Sequence, residues 1–250
     1  MYFQKFLFCF CIIALFFTAC DKDNANAVDA SASATGTGGS TARFTISGDY
    51  LYLADYSSLR VYNISNPNSP VEKPQVPIGF DIETIFPYKD KLFIGSTQGM
   101  FIYSLTNPAA PLKLGSVLHI RSCDPVVAND SISYSTLQGG TRCGPAESGL
   151  YIYDIKNITS PVLKKLLPLS TPFGLGLKDS VVFVCRGSNG LSAVKVKDPA
   201  NPTVMYTKSD GNYIDVIPYE NMLICYVKTG IIIYDVTDLK NIVKIGTVNY

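Results

Sequence analysis

The chain of 250 residues contains no tryptophan and a single histidine, His119. A lone histidine, with no pair of His or Cys residues at metal-ligand spacing, argues against a zinc centre. No Gly-x-Ser-x-Gly string occurs, so the strained turn that presents a nucleophilic serine is missing. Charge is sparse and balanced, 21 Lys and Arg against 20 Asp and Glu, and no basic run is present, so nucleic acid is not an expected partner. Helix-period patterning is absent from residues 44–250. The apolar stretch Phe6 through Phe17 is of signal-peptide length and too short for a comfortable membrane span.

What the chain does have is a repeat. Five polar turns follow strand-like runs: Asn66-Pro67-Asn68-Ser69-Pro70, Asn107-Pro108-Ala109-Ala110-Pro111, Asn157-Ile158-Thr159-Ser160-Pro161, Asp198-Pro199-Ala200-Asn201-Pro202 and Asp238-Leu239-Lys240-Asn241-Ile242. Their first residues lie 41, 50, 41 and 40 positions apart, a period expected of strand-rich modules arrayed around an axis. The runs between the turns are rich in Ile, Val, Phe, Tyr and Thr, which suit a pleated, half-buried surface. In the second unit the expected strands are Asp81 to Pro87, Lys91 to Ser96, Met100 to Leu105 and Pro111 to Val117. Hairpin turns align at Asp49, Asp90, Asp130, Asp179 and Asn221. The third unit is longer because Gln138 to Ser148 is inserted between its second and third strands.

These features predict an all-β fold over residues 43–250, a five-bladed β-propeller of four-stranded antiparallel blades, preceded by a signal peptide (1–19) and a disordered tether (20–42). Each blade is expected to use consecutive strands, so closure depends on the first blade packing against the fifth without an exchanged strand. An open arc completed by a partner molecule is the alternative.

The N-terminal segment closes with Phe17-Thr18-Ala19-Cys20, which resembles the lipobox of bacterial lipoproteins and implies lipidation of Cys20. Phe17 departs from the usual aliphatic residue. The following Asp, Asn, Ala, Ser, Thr and Gly stretch has too little apolar bulk to fold, and as a flexible chain it reaches about 25 Å. Its start, Cys20-Asp21-Lys22-Asp23, resembles acidic export signals of some Gram-negative surface lipoproteins. The expected location is therefore the cell envelope, at the outer membrane or cell surface.

The segments Leu51-Tyr52-Leu53-Ala54-Asp55 with Leu59-Arg60-Val61-Tyr62-Asn63-Ile64, and Gly230-Ile231-Ile232-Ile233-Tyr234-Asp235-Val236, resemble the LVIVD repeat of bacterial surface and secreted propellers. In such a topology the start of an innermost strand and the loop between strands two and three share one face. Cys123 and Cys143 occupy those two places in the third unit, which predicts a disulfide pinning the insertion, with two free thiols as the alternative. The resemblance also extends to a cysteine-bearing blade around these residues. Cys185 and Cys225 sit in second strands and read as buried structural thiols.

Asp124 and Asp215 each lie six residues before a hairpin turn and are expected at one rim of the central channel. With Arg142 and Arg186 they form the candidate ligand-binding set. Convergent carboxylates there suit a sugar or a hard cation such as calcium, while the structural reading is that each Asp caps nearby backbone amides. Tyr56, Phe173 and Tyr213 are expected on loops of the same face, where rings stack on saccharide or peptide. No catalytic or metal-ligating residue is assigned. The expected function is a lipid-anchored binding or scaffold module for a protein or glycan; the alternative is a glycoside hydrolase or lyase drawing on Asp81, Glu83, Asp124 and Asp215. The absence of tryptophan, a frequent sugar platform, favours the former.

Overall fold

The computed structural model describes residues 38–79, 81–118, 125–140 and 147–250. The expected signal segment, Cys20, His119, Cys123, Asp124, Arg142 and Cys143 lie outside the described residues. The described part is a five-bladed β-propeller. Blade 1 comprises β1 (Phe44–Ser47), β2 (Tyr50–Asp55), β3 (Ser58–Asn63) and an outer strand split into β4 (Val71–Glu72) and β5 (Val76–Pro77). Blade 2 follows with β6 (Ile82–Tyr88), β7 (Lys91–Ser96), β8 (Gly99–Ser104) and β9 (Leu112–Leu118). Blade 3 has β10 (Val126–Ala128), β11 (Ile132–Leu137), β12 (Gly149–Asp154) and β13 (Val162–Pro168). Blade 4 has β14 (Leu175–Lys178), β15 (Val181–Cys185), β16 (Leu191–Lys195) and β17 (Thr203–Lys208), and blade 5 has β18 (Tyr213–Tyr219), β19 (Met222–Val227), β20 (Gly230–Asp235) and β21 (Val243–Asn249). Strands are antiparallel and consecutive within every blade.

The recurring turns explain the period. In all five, the backbone amide three residues on donates to the carbonyl of the leading Asn or Asp, at 3.0 Å for Asn66 and 3.1 Å for Asn107, Asn157, Asp198 and Asp238. Just upstream, Asn63, Asp154 and Asp235 accept the amide two residues on at 2.8 to 3.0 Å, an Asx turn that ends the third strand. Blades 2 to 5 also share a register shift between strands three and four, at Ile102/Tyr103, Ile152/Tyr153, Ala193/Val194 and Ile233/Tyr234. Such bulges sharpen the local twist of the outer strand. In blade 1, Pro74 interrupts the outer strand, because proline has no amide to offer the ladder.

Side-chain alternation gives each blade two apolar faces, and neighbouring blades bury them against each other. Four apolar clusters fill four interfaces. Tyr52, Leu59 and Val61 of blade 1 meet Ile85, Leu92 and Ile94 of blade 2. Phe93 and Ile102 of blade 2 meet Val126 and Tyr153 of blade 3. Tyr134 and Ile152 of blade 3 meet Val182, Val184 and Val194 of blade 4, and Phe183 and Ala193 of blade 4 meet Leu223, Cys225 and Ile232 of blade 5. Among the described residues, no such cluster joins blade 5 to blade 1.

Candidate functional site

The inner strands converge on a channel cavity of about 230 Å³, lined by Phe86, Val127, Gly176 and Val216 from blades 2 to 5 and by Gly38 and Ser40. Residues 38–42, assigned from the sequence to the end of the tether, are therefore seated in the channel as a strap. The strap crosses from blades 4 and 5 to blade 2. At one end the Ser40 hydroxyl accepts the Leu175 amide (2.7 Å) and donates to Asp215 (3.1 Å); at the other the Ile85 amide donates to the Ala42 carbonyl (2.8 Å).

Asp215 sits at the centre of this latch. Its carboxylate receives the hydroxyls of Ser40 and Thr41, the amide of Thr41 (3.3 Å) and the amide of Val216 (2.9 Å), and the residue is 8% exposed. Two glycines make room for it. A Cβ on Gly39 would lie 2.1 Å from one carboxylate oxygen, and a Cβ on Gly174 would lie 2.2 Å from the other. Burial pushes the Asp215 carboxyl above its ordinary value, against the lowering pull of the hydrogen bonds from Thr41, Val216 and Ser40.

Arg186, the other described member of the expected ligand set, also spends its donors internally. Its guanidinium reaches the Ser170 carbonyl (3.1 Å), the Ser170 hydroxyl (2.6 Å) and the Ser192 hydroxyl (3.1 Å), stapling the loop before β14 to β16. Of the enzyme-like acids, Asp81 accepts the Thr97 hydroxyl at 3.3 Å. Tyr56 and Phe173 are exposed. Tyr213 corrects the expectation of a loop ring: it opens β18 and is fully buried, its hydroxyl 2.5 Å from both Asp210 and the Tyr234 hydroxyl. Burial alone would raise the Asp210 carboxyl, and the hydroxyls of Tyr213 and Tyr234, a backbone hydrogen bond and the Lys244 ammonium together hold it low. Cys185 and Cys225 are free and buried, and burial pushes both thiols up. The described residues contain no group of three or more His, Cys, Asp or Glu able to hold a metal ion. No helix among them is long and apolar enough to cross a membrane.

The second notable surface is the pair of terminal blade faces. On the trailing face of blade 5, Ile217, Ile224, Ile231 and Ile233 are only half-buried and Tyr226 is 46% exposed. Their counterparts Phe93 and Phe183, which occupy the place of Ile224 in blades 2 and 4, are 0% exposed. The leading face of blade 1 presents Phe44 (60% exposed), Ile46 and Leu53 (37%), where blades 2, 4 and 5 bury Ile94, Val184 and Cys225. Asp55, Arg60 and Glu72 lie at the edge of this face, with Arg60 paired to Asp55 at 3.3 Å.

The fold defines a β-propeller protein of the repeat class. The family model described as LVIVD repeat matches residues 38–77, which span the strap and blade 1. Among solved structures, the chain is similar to a protein from Lactobacillus plantarum (12% identity, TM-score 0.61, covering 80% of this chain and 68% of that one). It is also similar to a functionally unknown protein from Desulfotomaculum acetoxidans (12% identity, TM-score 0.60, covering 78% and 63%). Apo AztD from Citrobacter koseri is a third (11% identity, TM-score 0.56, covering 79% and 58%). The chain thus spans less than two thirds of the second and third of these structures. No curated protein sequence matches it. At these identities the likeness concerns the fold.

Sequence reasoning missed the strap and its partners Ser40, Thr41, Gly39 and Gly174. The Gly-Ser-Thr composition that signals an unfolded tether is the same composition that lets a backbone lie close against Asp215. The uncovered end faces had a legible signal: the terminal repeats keep apolar residues at blade-facing positions instead of exchanging them for polar ones.

Proposed function

We propose that this protein is an interaction module of the bacterial cell envelope, a rigid propeller held to the membrane by a lipid on Cys20 and serving as a binding or scaffold element. The observation that carries the interaction reading is the pair of terminal blade faces with apolar side chains in the open, at repeat positions that other blades bury. Contiguous apolar faces open to water mark surfaces that something covers, which supports the interaction reading. Glycoside hydrolysis is the weaker reading, because Asp215 is fastened as an acceptor by its own chain, whereas a catalytic acid must present its proton to a substrate.

Anchoring is tested by feeding cells an alkynyl palmitate. Label on the wild-type chain, and its loss with release from membranes in Cys20→Ser, is the expected result; an unlabelled, unchanged wild type refutes the anchor. Ligand binding at the channel rim, through Asp124, Asp215, Arg142 and Arg186, is tested by thermal shift against glycans and calcium. A ligand selective for the native state raises the melting temperature, and a flat response across the panel removes the rim from the account.

A further inference from the structure

We propose that the hairpin-side half of the central channel is a binding site for a small, uncharged ring compound that carries an N–H or O–H donor. The site goes beyond the interaction reading and is distinct from the rim set. Its place is fixed by the cavity of about 230 Å³. The strap, through Gly38 and Ser40, stands at one end, and Tyr88, Leu177 and Pro218, just before the hairpin turns of blades 2, 4 and 5, stand at the other. An apolar cavity of about 150 Å³ is enough to hold benzene, so this one has room for a single ring or two fused rings.

What the walls offer is set by the ladder. Ile85, Leu175 and Val216 hold equivalent places in the innermost strands of blades 2, 4 and 5, and their amides turn away from the second strand, to the Ala42 carbonyl, the Ser40 hydroxyl and the Asp215 carboxylate. An antiparallel edge repeats every second residue, and no bulge intervenes, so the next peptide groups turned toward the axis are those of Pro87, Leu177 and Pro218. Proline has no amide. Two of the three positions therefore offer only a carbonyl, and three acceptors stand against one donor, the Leu177 amide. Gly176 lets the walls come together, since a Cβ there would lie 2.7 Å from the Pro218 ring. Among the described residues, no Lys, Arg, Asp or Glu lines the cavity, and its side chains include Phe86, Tyr88 and Val127. An apolar enclosure with an excess of carbonyl oxygens suits a neutral ring with a donor on its edge, whereas an ion would lose its water without gaining a counter-charge.

Indole is the probe, because the chain has no tryptophan and fluorescence excited to the red of tyrosine then belongs to the added ring alone. Titrated with the full chain, indole should shift to the blue and saturate at one site per chain, with half-saturation at about 1 mM or below. Benzofuran, a ring of the same size without the N–H, should displace it with an affinity at least about tenfold lower. Leu177→Phe, a larger side chain at a half-buried wall position, should also weaken indole at least about tenfold, with circular dichroism showing that the variant is folded. Because that variant can fail to fold, intermolecular Overhauser contacts in the unmodified chain are the second measurement. Indole protons should meet the methyls of Val127, Leu177 and Val216 rather than those of Leu53 and Ile224 on the open blade faces. The proposal is overturned by no saturable shift, by contacts at the open faces only, by a folded Leu177→Phe chain that binds indole unchanged, or by benzofuran binding as tightly as indole. None of these failures touches palmitate labelling or the exposure of the terminal blade faces, which test the broader reading separately.

Discussion

Ser40→Ala should be among the most damaging single-atom deletions in the molecule. The hydroxyl accepts the buried Leu175 amide at 2.7 Å and donates to Asp215 at 3.1 Å, and Ser40 is 1% exposed. Asp215 keeps its contacts to Thr41 and Val216 after the change, so the charged acceptor is only partly deprived. The Leu175 amide has no replacement, and an unsatisfied buried donor costs about 1–3 kcal/mol. With the lost hydrogen bond to a carboxylate, the expected loss is about 2–4 kcal/mol. Urea denaturation followed by circular dichroism reads it directly, with the m-value unchanged because the same surface is exposed on unfolding. Ser65→Ala is the control: its hydroxyl bonds Asn63 at 2.6 Å on an exposed turn and should move stability by less than about 0.5 kcal/mol. A double-mutant cycle with Asp215→Asn should return a coupling of about 0.5–3 kcal/mol. If Ser40→Ala proves as mild as the control, water reaches Leu175 and the strap is not seated in the channel.

Three further outcomes follow from the same geometry. The Asp215 carboxyl is raised in the folded state, so between its unfolded and folded values the native chain holds more proton, and stability falls as pH rises through that window and levels off above it. Wild type should therefore lose stability relative to Asp215→Asn on going from about pH 4 toward neutrality; a pH-independent difference would show that burial does not govern this carboxyl. Glu220→Gly should be neutral or stabilise by up to about 1 kcal/mol, because Glu220 holds φ at 49° while its role as acceptor for Lys178 uses only the backbone carbonyl; a loss of stability in the melt would contradict this. Cys185 and Cys225 should resist alkylation in the native chain and react only on the timescale of unfolding, as peptide mapping after a timed maleimide pulse will show; fast labelling of either would place it at the surface.

The blade framework was legible because each repeat writes its own turns. The five Asn/Asp turns, the two-residue hairpin at Lys89-Asp90 and the boundaries of β7 depend on residues within four positions of one another. The insertion between β11 and β12 was visible as a break in period and falls where expected. Contacts that join distant segments were not legible. Ser40 and Asp215 are 175 residues apart, and nothing in a Gly-Ser-Thr stretch announces the carboxylate it will meet. Tyr213 misled because Gly211 and Asn212 suggest a loop, whereas its ring is enclosed and its hydroxyl is claimed by Asp210 and Tyr234. The open ends lay between these cases: periodicity located the faces, but only the packed array shows that blade 5 does not cover blade 1.

That last feature is the one most worth testing on the purified chain alone. Hydroxyl-radical footprinting at low protein concentration should oxidise Phe44, Leu53 and Tyr226 readily, while Phe93, Tyr134 and Phe183 stay protected in the same sample. Equal protection of both sets would mean that the fifth blade closes directly on the first and that neither face is open.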